Sequence, residues 1–169
     1  QNHGYDHHHY TNVRYPFPYD PPFTPWDNPC GVYLRRYEDH PDGLERFLYF
    51  EGVDSCLYVW LNGTFIGYSQ VSHSSIEFDI TANTADGVNT LVVLVLKWCD
   101  GSYLEDADHW RLGGIYREVY LAAEPRAAIA DYGVRTVFDA KYRDAKLQLR
   151  PSVALTGADT ARCRNYVLR

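Results

Sequence analysis

The densest run of chemistry-bearing side chains is WCDGSYLEDADHWRLGGIYR, Trp98 to Arg117. Here Asp100, Glu105, Asp106 and Asp108 stand among Trp98, Tyr103, Trp110 and Tyr116. Carboxylates accept hydrogen bonds from hydroxyls and coordinate hard cations through oxygen. Aromatic rings add rigid apolar surface that loses little conformational entropy on binding. The combination suits a polyhydroxylated ligand or a cation, and an acidic surface loop with two packing tryptophans fits it equally well. The acid and nucleophile of a glycosidase must face each other across the scissile bond, about 5–5.5 Å apart for retention or about 6.5–9.5 Å for inversion. Neither Asp106 with Asp108 nor Glu105 with Asp108 is expected to do so from one short loop. A loop carboxylate that holds substrate or a cation is the stronger expectation.

Other constellations carry less. His3, His7, His8 and His9 include a common metal-ligand type, but neighbours in an extended segment point to opposite sides, and Tyr10-Thr11-Asn12 adds no carboxylate. Asn62-Gly63-Thr64 fits a glycosylation sequon, yet a two-residue hairpin turn accounts for Asn-Gly without any sugar. Phosphate cradles, nucleophile elbows and Ser/His/Asp orders are absent. Cys30, Cys56, Cys99 and Cys163 form no CxxC pair, so zinc or redox chemistry is not expected. Free buried thiols in a reducing, cytoplasmic setting are the expectation, with one or two disulfides left open.

The elements that must position these groups are strands. Val32–Tyr37, Arg46–Phe50, Leu57–Leu61, Ile76–Ile80, Thr90–Trp98 and Ile115–Ala122 are rich in β-branched and aromatic residues and bounded by turn signals. TLVVLVL, Thr90 to Leu96, predicts a strand buried on both faces. Asn62-Gly63, between CLYVWL and TFIGYSQ, predicts a tight hairpin. Six prolines between Pro16 and Pro29 predict an extended segment, pinned to the domain by Tyr15, Phe17, Tyr19, Phe23 and Trp26. No helical stripe of ten residues exists. The fold class is therefore all-β, an antiparallel jelly-roll sandwich. A boundary falls near Ala123–Arg126, giving a domain of residues 1–125. Residues 126–169 form the start of a second β-sandwich, too short to bury a core of its own.

The chain has 169 residues, 46% of them hydrophobic and 15% aromatic, enough for a packed core. A net charge of −6 and the lack of any basic cluster beyond Arg35-Arg36 argue against a nucleic-acid partner. No apolar run is long enough for a membrane helix, and no signal-type amino terminus is present. The opening on Gln1 reads as a processed or excised piece.

Several long motifs then carry a resemblance: HGYD (3–6), YTNV (10–13), YPFPYDPPFTPWDNPCGVY (15–33), FEGVDSCLYVWLNGTFIGYSQ (50–70), EFDI (77–80) and WCDGSYLEDADHWRLGGIYREVYL (98–121). In this order they resemble the large β-galactosidases of glycoside hydrolase family 2, closely over residues 3–125 and more loosely beyond. The resemblance implies a jelly-roll sugar-binding domain that lacks its amino-terminal part, followed by a truncated immunoglobulin-like β-sandwich. Both catalytic glutamates would lie in a (β/α)8 barrel outside this chain, so the fragment alone is expected to be inactive. It further implies that Asn12 bonds the galactosyl unit and that Asp108, in the DHWR stretch with Arg111, ligates Na+ and contacts galactose hydroxyls. Gln70 and Asp100 resemble ligands of a structural Mg2+. The family residue after that aspartate is often methionine, and here it is His109. Implied partners are a galactoside such as lactose, the remaining domains of the enzyme and, when intact, further copies in a homo-oligomer. The alternative from another class is a non-catalytic carbohydrate-binding module of jelly-roll type.

Overall fold

The structure, a computed structural model, describes residues 3–7 and 9–155. It divides into one unit of Gln1–Asp42 with Arg46–Ala122 and a second of Gly43–Glu45 with the chain from Ala123 onward. Strands dominate, and the helical pieces among the described residues are two 3-10 turns, Thr81–Asn83 and Asp100–Leu104. Among the described residues no helix is long and apolar enough to cross a membrane.

In the first unit β1 (Cys30–Asp39), β4 (Cys56–Leu61), β5 (Thr64–Ser69) and β7 (Gly87–Leu96) form one antiparallel sheet in the order β1-β7-β4-β5. A second sheet is ordered β6-β2-β9, from Ile76–Asp79, Glu45–Phe50 and Val119–Glu124. The pair β3 (Val53–Asp54) and β8 (Gly114–Ile115) joins Val53 to Ile115. Period-two alternation turns Leu48 and Phe50, Leu57, Val59 and Leu61, and Leu91, Val93 and Val95 into one core. Each such side chain, fully buried, contributes roughly 1.5–3 kcal/mol. The hairpin between β4 and β5 forms where expected, because Asn62 (φ 52°) and Gly63 (φ 83°) both adopt the left-handed conformation of a type I′ turn.

Two expectations change. β7 is buried on one face and only half-buried on the other, since Val92 and Leu94 share that side with the exposed Val32 and Leu34 of β1. The strand expected over Ile115–Ala122 breaks at Tyr116–Glu118, so β8 and β9 pair with different partners.

The proline-rich segment lies against the 3-10 turn at Asp100–Leu104. The Tyr103 hydroxyl donates to Phe23 O at 2.6 Å and accepts from Asp20 N at 3.2 Å, while Tyr15 donates to Tyr103 O at 3.0 Å. Phe17 packs edge-on to both Trp98 and Tyr103. Phe23 and Trp26, by contrast, are exposed and pin nothing through their rings. Upstream, the buried Lys97 ammonium donates to Asp6 Oδ1 and Oδ2 at 2.8 and 2.7 Å and to His7 O at 2.6 Å.

Described residues of the second unit form an antiparallel hairpin of β10 (Ala127–Phe138) and β11 (Ala145–Leu155). Cys56 and Cys99 are buried free thiols and Cys30 is an exposed one. Cys163 lies outside the described residues.

Candidate functional site

The loop from Glu105 to Gly113 connects the second 3-10 turn to β8, so it hangs between two elements fixed by the core. A backbone bridge from Thr11 N to His109 O (3.5 Å) and the Tyr10 and Trp110 rings, 5.0 Å apart, tie it to the amino-terminal segment. Between them the Tyr10 hydroxyl lies near the Asp108 carboxylate and the Asn12 amide. The Asp108 carboxylate is the main cause holding the Tyr10 phenol above its ordinary value, and Asn12 opposes it. The two residues singled out as sugar contacts, 96 positions apart (108 − 12), therefore flank one phenol, next to the Thr11–His109 bridge. Asp108 and Asn12 are both exposed. A carboxylate and a primary amide side by side can accept from and donate to adjacent hydroxyls, and the carboxylate oxygens suit a hard cation.

Beneath the loop lies a buried polar layer that sequence reasoning missed. Ser72 is fully buried. Its hydroxyl lies 2.8 Å from Glu105 Oε2 and 3.3 Å from Asp54 Oδ1, and its amide donates to Glu105 Oε1 at 3.3 Å. Its carbonyl accepts from the Tyr116 hydroxyl at 2.6 Å. Asp54 and Glu105 thus share the buried Ser72 hydroxyl as a hydrogen-bond partner. Burial, and then the Glu105 charge, push the Asp54 carboxyl above its usual range. Arg111, 3% exposed with φ 51°, donates to Ala107 O at 3.4 Å and leaves Nε without a partner. His109 Nδ1 is likewise buried without a partner, and burial lowers the pKa of that imidazole.

Gln70 lies beside Gly101, the chain neighbour of Asp100. Gln70 Oε1 accepts from Tyr68 at 2.6 Å, and a side chain starting at Gly101 would meet the Gln70 carboxamide carbon at 3.4 Å. Asp100 is exposed, with Oδ1 accepting from Gly101 N at 2.9 Å. Their oxygens are of the type Mg2+ takes, but octahedral coordination needs six. Among the described residues no group of three or more His, Cys, Asp or Glu side chains is placed for a metal. In the amino-terminal run the His7 and His9 rings lie 4.5 Å apart and His9 packs edge-on to Trp98, while His8 lies outside the described residues.

Sequence reading gave Tyr10 no role; the signal at hand was that residues two apart in an extended segment share a side. Ser72 and Asp54 carried no such signal.

A family model described as the sugar binding domain of glycosyl hydrolases family 2 matches residues 1–125. The chain is 52% identical over 149 residues to a "Beta-galactosidase" of Actinobacillus pleuropneumoniae, covering 88% of this chain and 15% of that protein. It is 46% identical over 156 residues to a "Beta-galactosidase" of Vibrio vulnificus (strain YJ016), covering 91% of this chain and 15% of the relative. This chain therefore spans about 15% of the length of these relatives. Among solved structures, an FMN-binding beta-glucuronidase from Facaelibacterium prausnitzii L2-6 shares the fold at a TM-score of 0.66 and 23% identity, over 75% of this chain and 21% of that one.

Proposed function

Because the chain belongs to glycosyl hydrolase family 2, we propose that it is one stretch of a β-galactosidase that removes terminal non-reducing β-D-galactosyl units, as from lactose, with retention of configuration. The observation that carries this reading is the 52% identity to a named β-galactosidase across 88% of the chain. In this account the chain supplies one wall of the sugar site. Asp108 accepts hydrogen bonds from galactose hydroxyls, and the Asn12 amide reaches the same sugar. Tyr10 keeps the two in register. Neither group moves a proton in the reaction, and orientation of this kind carries several kcal/mol of barrier reduction. The acid/base and the nucleophile are glutamates of a barrel domain elsewhere in the longer polypeptide.

Asp108 would hold Na+, since its exposed carboxylate keeps lone pairs free for a hard cation. Bound there, the ion supplies positive charge beside the sugar hydroxyls. Gln70 and Asp100 would give two oxygens to a structural Mg2+, with the rest from outside the described residues. The intact enzyme is cytoplasmic and assembles as a homo-oligomer in this reading.

The test is to express the contiguous reading frame that carries this chain and assay chromogenic β-galactoside against β-glucuronide. Preferential galactoside hydrolysis is expected. Hydrolysis of the glucuronide alone, or galactoside binding with no turnover, overturns the reading, and the second result favours a binding module.

A further inference from the structure

The Ser72 hydroxyl has a single proton and faces two carboxyl groups and, farther off at 3.4 Å, the Ser55 carbonyl. Its contact with Glu105 Oε2 is the shorter, 2.8 Å against 3.3 Å for Asp54 Oδ1, and the Ser72 amide also donates to Glu105 at 3.3 Å. Two donors from one residue make Glu105 the ionised acceptor. The Ser72 oxygen then presents a lone pair to Asp54. Two buried acceptors facing each other are unfavourable unless one carries a proton.

We propose that protonated Asp54, the Ser72 hydroxyl and the Glu105 carboxylate form a hydrogen-bonded chain that positions the loop of residues 105–111, and Asp108 with it. Asp54 comes from β3, Ser72 from the turn after β5, and Glu105 opens the loop itself. Ser72 cannot shift without cost, because Tyr116 holds its carbonyl at 2.6 Å and the Ser72 side chain is fully enclosed. The charged groups acting on Asp54 agree with this arrangement: burial and Glu105 favour its neutral form, against smaller opposing effects of His109, the Ser72 bond and Arg111. From Glu105 the loop turns back at once, with Ala107 N donating to Glu105 O at 2.8 Å and Arg111 reaching Ala107 O. Asp54, Ser72 and Glu105 are positioning residues for Asp108, which alone of these four touches ligand. The inference rests on the reading of Asp108 as the sugar and sodium contact.

The test uses the longer polypeptide that carries this chain, with Glu105→Ala, Ser72→Ala, Asp54→Ala and Asp54→Asn, and Asp108→Asn as control. Half-activating sodium, KM and kcat for a chromogenic galactoside, and amide exchange over residues 105–111 are read together. The three alanine variants should raise the sodium requirement and KM by about tenfold, as loss of an outer-shell partner does, with kcat less affected and exchange faster. Asp54→Asn, whose amide donates as the protonated acid does, should stay within about twofold of wild type. If Asp54→Asn behaves like Asp54→Ala, or if Glu105→Ala leaves exchange at the wild-type rate, the proposal is overturned. If exchange accelerates as expected while Asp108→Asn changes neither sodium response nor KM, the positioning chain stands and the ligand role of Asp108 falls.

Discussion

Lys97 offers the sharpest check on how the amino-terminal segment is held. Its ammonium is buried, with a side chain 3% exposed, and it donates to both Asp6 oxygens and to His7 O, while Asp6 keeps 31% exposure. The two sides of this pair should therefore respond unequally. Lys97→Met removes three charge-assisted bonds but leaves Asp6 facing water, so the cost is about 2–3 kcal/mol. Asp6→Ala leaves an ammonium enclosed with only a carbonyl to serve it, and stranding a buried charge costs about 3–5 kcal/mol. The loss falls on docking of the segment that carries Tyr10 and Asn12, so amide exchange at Thr11, whose N–H bonds His109 O, reports it directly. Exchange should speed up by about 30- to 150-fold in Lys97→Met and by more in Asp6→Ala. Equal effects, or a larger one for Lys97→Met, refute the asymmetry and the burial argument behind it. Acid should act in the same direction. Asp6 sits below its ordinary carboxyl range through its Lys97 and His7 bonds, against burial. Its stabilisation is present above the unfolded value of 3.8 and is lost as pH falls through the lower folded value.

Three further outcomes are expected. Phe50→Ala, at a fully buried ring edge-on to Phe78, should cost about 3–5 kcal/mol in urea denaturation; a loss below about 1 kcal/mol contradicts a closed core there. Asp54 has a folded pKa above its ordinary 3.8, so between those values the native state keeps a proton the unfolded chain releases, and stability falls as pH rises through that window. Asp54→Asn should abolish that slope in stability curves taken across acidic pH, and an unchanged slope refutes the assignment. The isolated 169-residue chain should not hydrolyse a chromogenic galactoside, and measurable turnover would show that the reacting carboxyls lie within it.

Much of the fold could be read because its signals are local. Asn62-Gly63 specified its hairpin through two backbone conformations that other residue pairs rarely accept, and strand alternation picked out Leu57, Val59 and Leu61 as core. TLVVLVL misled, since an apolar run does not say whether its second face is covered, and Val92 and Leu94 are covered only in part. The site divides in the same way. Asn12 and Asp108 came from resemblance, whereas their junction at Tyr10 depends on a bridge between Thr11 and His109 that no short pattern encodes. Glu105 had no visible role in the sequence because its partners, Ser72 and Asp54, stand 33 and 51 positions away and are ordinary residues for a turn and a strand end.

The proposed role of Asp108 is to bind both the sugar and sodium. Sodium titration of galactoside hydrolysis by the longer polypeptide carrying Asp108→Asn, against wild type, tests it most directly. The amide keeps the size and the Tyr10 contact but gives up the charge, so sodium activation should disappear and KM should rise by about tenfold or more. A sodium response and KM unchanged from wild type would contradict the account.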